Sequence, residues 1–263
     1  MARLVENQPA YILHRRLYRE SSYLLDVFTL NHGRVSIVAK GATRGKKNRS
    51  ALLQVFQPLL IDWSGRSSLK TLINVEAPDK PFNLASRFLY CGYYLNELIL
   101  KLSPEMESNP ELFVCYGDTL PRLTRHSHIE AVLRHFEFQL LVLLGLAPDF
   151  SHCESGAPIM AEQRYVLTVN DGFVTQGAYA KQAQNALIRS FDGATLRYLA
   201  QGWFAERRTI GHEPQNNTDP HIDRQTKAVF REAKTLMRQL IDQALQGRVL
   251  ESRELFKHIA RSQ

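Results

Sequence analysis

Five short strand-like runs fill residues 8–76, and nothing in that span has the period of a helix. Ala10–Tyr18 is rich in Tyr, Ile and Leu. Ser22–Leu30 alternates, with Tyr23, Leu25 and Val27 on one face and Leu24, Asp26 and Phe28 on the other. Arg34–Lys40 alternates again after the turn Asn31-His32-Gly33, so the pair reads as a β-hairpin. Leu52–Trp63 and Leu69–Val75 follow, separated by Ser64–Ser68, with Pro58 placed for an edge or a bulge. Parallel strands need crossovers of a dozen or more residues, which this span does not contain. Open strand edges invite aggregation, so a small sheet of this kind closes on itself. The expectation is an antiparallel barrel, and the OB-fold is the common five-stranded case.

Beyond Pro81 the period becomes helical. Leu84, Phe88, Leu95, Leu98, Ile99 and Leu102 mark a long amphipathic helix ended by Ser103-Pro104. Residues 110–120 and 129–144 give two more, the last stopping at Gly145. Pro148–Gln163 reads as a loop. Tyr165–Val174 reads as a hairpin around Asn170-Asp171-Gly172. Helices are expected near 180–190, 193–205 and 221–246 and from Ser252, with Pro214–Pro220 a linker. The class is therefore α+β: an N-terminal domain over residues 1–80 and a mainly helical domain over 81–263.

Charge divides at the same place. Residues 1–80 hold thirteen Lys and Arg against six Asp and Glu, which is the whole of the net +7. The rest of the chain balances at twenty of each. A basic barrel joined to a neutral helical domain points to a polyanionic partner at the barrel. From Arg34 to Arg49 six basic residues (Arg34, Lys40, Arg44, Lys46, Lys47, Arg49) occur with no acidic one. Such a loop neutralises phosphates, the main source of sequence-independent affinity for nucleic acid. Arg66 and Lys70 extend the patch. Tyr11, Tyr23, Phe28 and Phe56 lie on the strands, and strand aromatics are usually core rather than stacking platforms.

Other chemistries find little support. Gly41–Lys47 has three residues between its glycines and no hydroxyl after Lys46, so it is not a phosphate-binding P-loop. Cys153 and His152 lack paired partners for zinc, and His126 and His128 lack a matching carboxylate or cysteine. No motif supports a catalytic nucleophile. Glu6 and Asn7 stand where a signal peptide needs apolar residues, and no aliphatic run approaches the roughly 20 residues that span a bilayer, so a cytoplasmic, membrane-free location is expected.

Ser21–Ala42 (SSYLLDVFTLNHGRVSIVAKGA), Phe56–Leu59, Tyr94–Leu98, Leu133–Glu137 and Ser252–Phe256 together resemble the bacterial RecO family of DNA repair and recombination mediators. The resemblance implies an OB-fold followed by a helical domain, without catalytic activity or cofactor. It implies binding of single- and double-stranded DNA and annealing of complementary strands. Capture of the acidic tail of the single-stranded DNA-binding protein SSB and cooperation with RecR in loading RecA are further implications. Arg134, on the third helix beside His135 and Glu137, is the expected contact for the SSB tail. Some members of the family hold zinc in the loop after that helix. Here only Cys153 stands in the corresponding loop and hairpin, about residues 147–176, so no metal is expected. The alternative class is a basic RNA-binding or assembly adaptor.

Overall fold

The computed structural model describes residues 4–43, 49–125, 129–168, 172–182, 189–201 and 220–254, with residues 49, 182 and 220–227 described by their backbone alone. They pack as two compact units, one of Met1–Val132 with Arg248–Gln263 and one of Leu133–Gly247.

Five strands open the first unit: β1 Leu4–Tyr18, β2 Ser22–Thr29, β3 Gly33–Ala39, β4 Leu59–Ser64 and β5 Leu69–Glu76. They form a closed barrel in the order β1-β2-β3-β5-β4, the OB-fold expected from the alternation. Its filling comes from one face of each strand, including Ile12, Leu25, Val27, Ile37, Ile61 and Trp63. One joint differs from the expected antiparallel pattern: β3 and β5 pair in parallel, Ser36–Val38 against Leu69–Thr71. The reason is parity. Direction can alternate all the way round a ring only if the number of strands is even, so five strands leave one parallel pair. Leu52–Trp63 is also not one extended run. A single helical turn, α1 (Arg49–Leu52), precedes Leu53, which is fully buried, and Phe56 has a φ of 61° before β4 begins.

Helices α2 (Arg87–Leu102) and α3 (Pro110–Arg125) pack on the outside of the barrel. Tyr11 and Phe28 point outward and meet Phe113 and Tyr116 of α3, with ring centroids 5.1–6.3 Å apart. A buried polar chain runs through this joint. Tyr116 donates to Asn96 Oδ1 (2.6 Å), and Asn96 Nδ2 donates to the Leu13 carbonyl (2.8 Å). Burial raises the Tyr116 phenol well above its ordinary pKa, and the neighbouring Tyr11 adds to the rise. α3 continues through Pro121, where the sequence suggested an end at Leu120, because Leu123 completes the buried stripe of Leu112, Tyr116 and Leu120. α4 (Ile129–Leu143) follows.

In the second unit β6 (Arg164–Leu167) is flanked by β7 (Phe173–Thr175) and β8 (Phe191–Asp192). The hairpin thus gains a third strand that two residues were too few to announce. Helices α5 (Gln176–Gln182), α6 (Gly193–Ala200) and α7 (Pro220–Leu245) also belong to it. The Glu232 carboxylate of α7 accepts from the Asp192 amide (3.1 Å) and the Thr195 hydroxyl (2.7 Å), capping α6 from outside. The loop at Cys153 is tied by backbone bonds, Cys153 to Ala157 (2.8 Å), Ile159 to Ser151 (2.8 Å) and Glu154 to Phe173 (2.9 Å). No helix among the described residues is long and apolar enough to cross a membrane.

A candidate nucleic-acid interface

The basic loop leaves and re-enters the barrel at one rim. On the way out Ala42 is buried in the barrel core, and the Thr43 amide donates to the Ser21 carbonyl in the β1–β2 turn (3.2 Å). On the way back Leu53 is buried in the same core. The Arg15 guanidinium donates to the carbonyls of Ser50 (3.2 Å) and Leu53 (2.7 Å), and Tyr23 Oη lies 3.3 Å from Ser50 Oγ. Both roots are therefore fixed to the end of the β1–β2 hairpin. Arg44, Lys46 and Lys47 lie outside the described residues, as does the side chain of Arg49.

The other expected contacts divide between two ends of the barrel. Lys40 follows the last residue of β3 and is exposed at the rim where the loop begins. Arg34 stands six residues earlier, roughly 20 Å back along the strand. Its Nε donates to the Ser103 carbonyl (3.2 Å), and its Nη1 lies 3.4 Å from Glu105 Oε1. The parallel register of β5 with β3 places the β4–β5 turn toward this same, earlier end. Arg66 is exposed in that turn. Lys70 is 9% exposed, and its ammonium donates to the carbonyls of Ser67 (2.7 Å) and Gly65 (3.5 Å). Arg34 and Lys70 thus have internal partners, though their charge still adds to the field of the barrel.

Sequence reasoning passed over three cations at the loop's rim. Arg15, Arg16 and Arg19 are exposed at the end of β1 and in the turn after it. The run His14–Arg19 (HRRLYR) carried the signal, but only pairing of the hairpin brings it beside residues 39–43. Among the strand aromatics, Tyr11, Phe28 and Phe56 are buried, as core residues are. Tyr23 is half-buried beneath the Arg15 guanidinium, 4.8 Å from the ring centroid.

On α4, Arg134 is nearly buried and hydrogen-bonded to Glu137, one turn further on and fully buried. Its Nε is enclosed without a hydrogen-bond partner among the described residues. His126 and His128 lie outside those residues. No group of three or more His, Cys, Asp and Glu that could hold a metal occurs among the described residues. Burial raises the Cys153 thiol, which makes it a poorer ligand.

Known proteins match most of the chain. The family model described as recombination protein O N terminal matches residues 1–80, and its C-terminal counterpart matches residues 87–209. The DNA repair protein RecO of Marinobacter nauticus is 38% identical over 260 residues, covering 97% of this chain and 95% of the relative. That of Methylococcus capsulatus is 39% identical over 249 residues, covering 94% and 91%. That of Cellvibrio japonicus is 38% identical over 253 residues, covering 96% and 97%.

Proposed function

The chain belongs to the recombination protein O family of DNA repair proteins, and from that premise we propose that it is a non-enzymatic recombination mediator. It binds single- and double-stranded DNA, anneals complementary strands and, with RecR, helps load RecA onto SSB-coated single strands at the nucleoid. The observation that carries this reading is the concentration of the entire net charge in residues 1–80, with a basic loop rooted at one rim of an OB-fold. Lys40, Arg44, Lys46, Lys47 and Arg49 are the main phosphate contacts, and Arg34, Arg66 and Lys70 add to the attracting field. Phosphate pairing carries no sequence information, so binding is largely indifferent to sequence. Neutralising two backbones at once lowers their repulsion, which favours annealing. We place the dock for the SSB tail in the helical part of the chain, beyond residue 80. Arg134 of α4 is the proposed contact for the tail.

The experiment is annealing of complementary oligonucleotides, each coated with SSB, using intact SSB and SSB lacking its tail. Annealing that requires both this chain and the tail is expected. Annealing indifferent to the tail removes the Arg134 assignment. A folded chain that anneals nothing removes the mediator reading and favours an RNA-binding adaptor.

A further inference from the structure

The charge balance of residues 81–263 hides a one-sided helix. Arg224, Lys227, Arg231, Lys234 and Arg238 recur in α7 at alternating steps of three and four residues. That spacing puts all five positions on one face of a helix. At a rise of about 1.5 Å per residue the row is about 21 Å long. Arg231, Lys234 and Arg238 are exposed on it. Ala233, Leu236, Met237 and Leu240, on the opposite face, are buried.

Glu232 is the one acidic residue between Asp223 and Asp242. Its carboxylate turns to the Asp192 amide (3.1 Å), the Thr195 hydroxyl (2.7 Å) and the Arg164 guanidinium (3.2 Å), so it is engaged away from the basic row. Asp242 lies 4.0 Å from Arg238, and both side chains are more than half exposed, so water screens that pair. Like charges three or four residues apart destabilise a helix, and cations near its N-terminus oppose the helix dipole. The basic row therefore weakens the helix that carries it, which points to a ligand rather than to folding.

No large apolar side chain is exposed among the described residues of α7. A protein partner needs an apolar anchor, whereas a nucleic-acid backbone is held by charge alone. A row of evenly repeated cations suits a repeating polyanion, and its length matches roughly six phosphates of one strand at about 3.4 Å each. We propose that this face of α7 is a second phosphate-binding surface, which holds the backbone of a second DNA strand. The basic loop belongs to the first unit and α7 to the second. One molecule then carries two strands at separate sites, which brings complementary partners onto the same protein. This inference rests on the DNA-binding reading above.

The test gives the full chain two single strands of unrelated sequence, one with a donor dye and one with an acceptor, so that base pairing cannot join them. Energy transfer, together with the mass of one protein and two strands, is expected for wild-type protein. The variant combines Arg231→Gln, Lys234→Gln and Arg238→Gln, exposed positions at which glutamine keeps the helix. It is expected to bind a first strand with the wild-type salt slope. It is expected to capture the second about tenfold more weakly, with a slope lower by about 2 for three lost contacts, and to anneal complementary strands more slowly. Unchanged capture of the second strand overturns the inference. So does a wild-type protein that holds one strand and never two. A variant that loses slope on the first strand places the row in a single site with the loop, which overturns it as well. Failure of wild-type protein to bind any strand removes the DNA-binding reading itself, and this inference with it.

Discussion

The Glu97 carboxylate accepts the Ser252 backbone amide at 2.9 Å, joining residues 155 positions apart. The Ser252 hydroxyl and the Glu251 amide (2.8 Å) donate to the same carboxylate, and the Lys101 ammonium lies 3.0 Å away. Arg248 and Lys101 exchange further bonds with each other's stretch of backbone. Glu97 thus pins residues 248–254 to α2.

Replacing Glu97 with Gln is expected to cost about 1–2 kcal/mol at pH 7, because two amides and a hydroxyl lose a charged acceptor. Burial alone would raise the Glu97 carboxyl, but the bonds from Ser252, Glu251 and Lys101 outweigh it and hold the value below the ordinary 4.5. The charged form is therefore favoured by folding. The contribution is complete above the unfolded-state value and is lost as pH falls through the lower folded-state value. Urea melts of wild type and Glu97→Gln should differ most near neutrality and converge once the pH has fallen below the folded-state value. A gap that stays constant with pH would assign the effect to packing instead.

Charge reversal of Lys46 and Lys47 is expected to weaken single-strand binding and to flatten its dependence on salt. Each lost phosphate contact removes about 0.7 from the slope of log affinity against log salt. A titration of salt between low and physiological concentration reads this directly. An unchanged slope would take the loop out of the interface.

Asn96 offers a double-mutant cycle. Asn96→Leu strands the Leu13 carbonyl and the Tyr116 hydroxyl in the joint between barrel and helices. The expected loss is about 2–4 kcal/mol, since each orphaned buried group costs about 1–3 kcal/mol. Tyr116→Phe added to it removes one orphan, so the double variant should be more stable than the sum of the single losses. Strict additivity in thermal or urea melts would show that the two side chains do not act together.

Gly33→Ala is expected to be severely destabilising. The residue has a φ of 61°, and a Cβ would lie 1.8 Å from the Glu107 carbonyl oxygen. A main-chain atom cannot rotate away as a side chain can. By contrast Gly41→Ala, also at positive φ (63°) but with nothing within 4 Å, should lose only the roughly 1–2 kcal/mol of backbone strain. The difference between the two melting temperatures measures the steric part. Equal losses would locate the whole effect in the backbone angle.

Alternation in Ser22–Leu30 and Arg34–Lys40 was enough to read the barrel, because each strand has one buried face. The parallel joint follows from counting strands, yet pairwise reading of neighbours along the sequence does not reveal it. α1 and β8 are too short for any period to show. The candidate site was legible only as a charge excess. A lysine in a basic stretch looks the same whether it faces solvent, as Lys40 does, or donates into its own turn, as Lys70 does. Likewise Arg15, Arg16 and Arg19 read as a strand end until pairing with β2 and β3 brings them to the loop.

The division of the first unit into Met1–Val132 and Arg248–Gln263 has a consequence during synthesis. The barrel and α2 can emerge from the ribosome and fold, but the segment that Glu97 holds is translated only after all of Leu133–Gly247. At the usual speed of elongation, roughly 5–20 residues per second, that is a delay on the order of ten seconds. For that interval Glu97 and the last turn of α2 face solvent without their partner. A nascent chain stalled within the second unit would carry this unfinished seam, which distinguishes it from the completed protein.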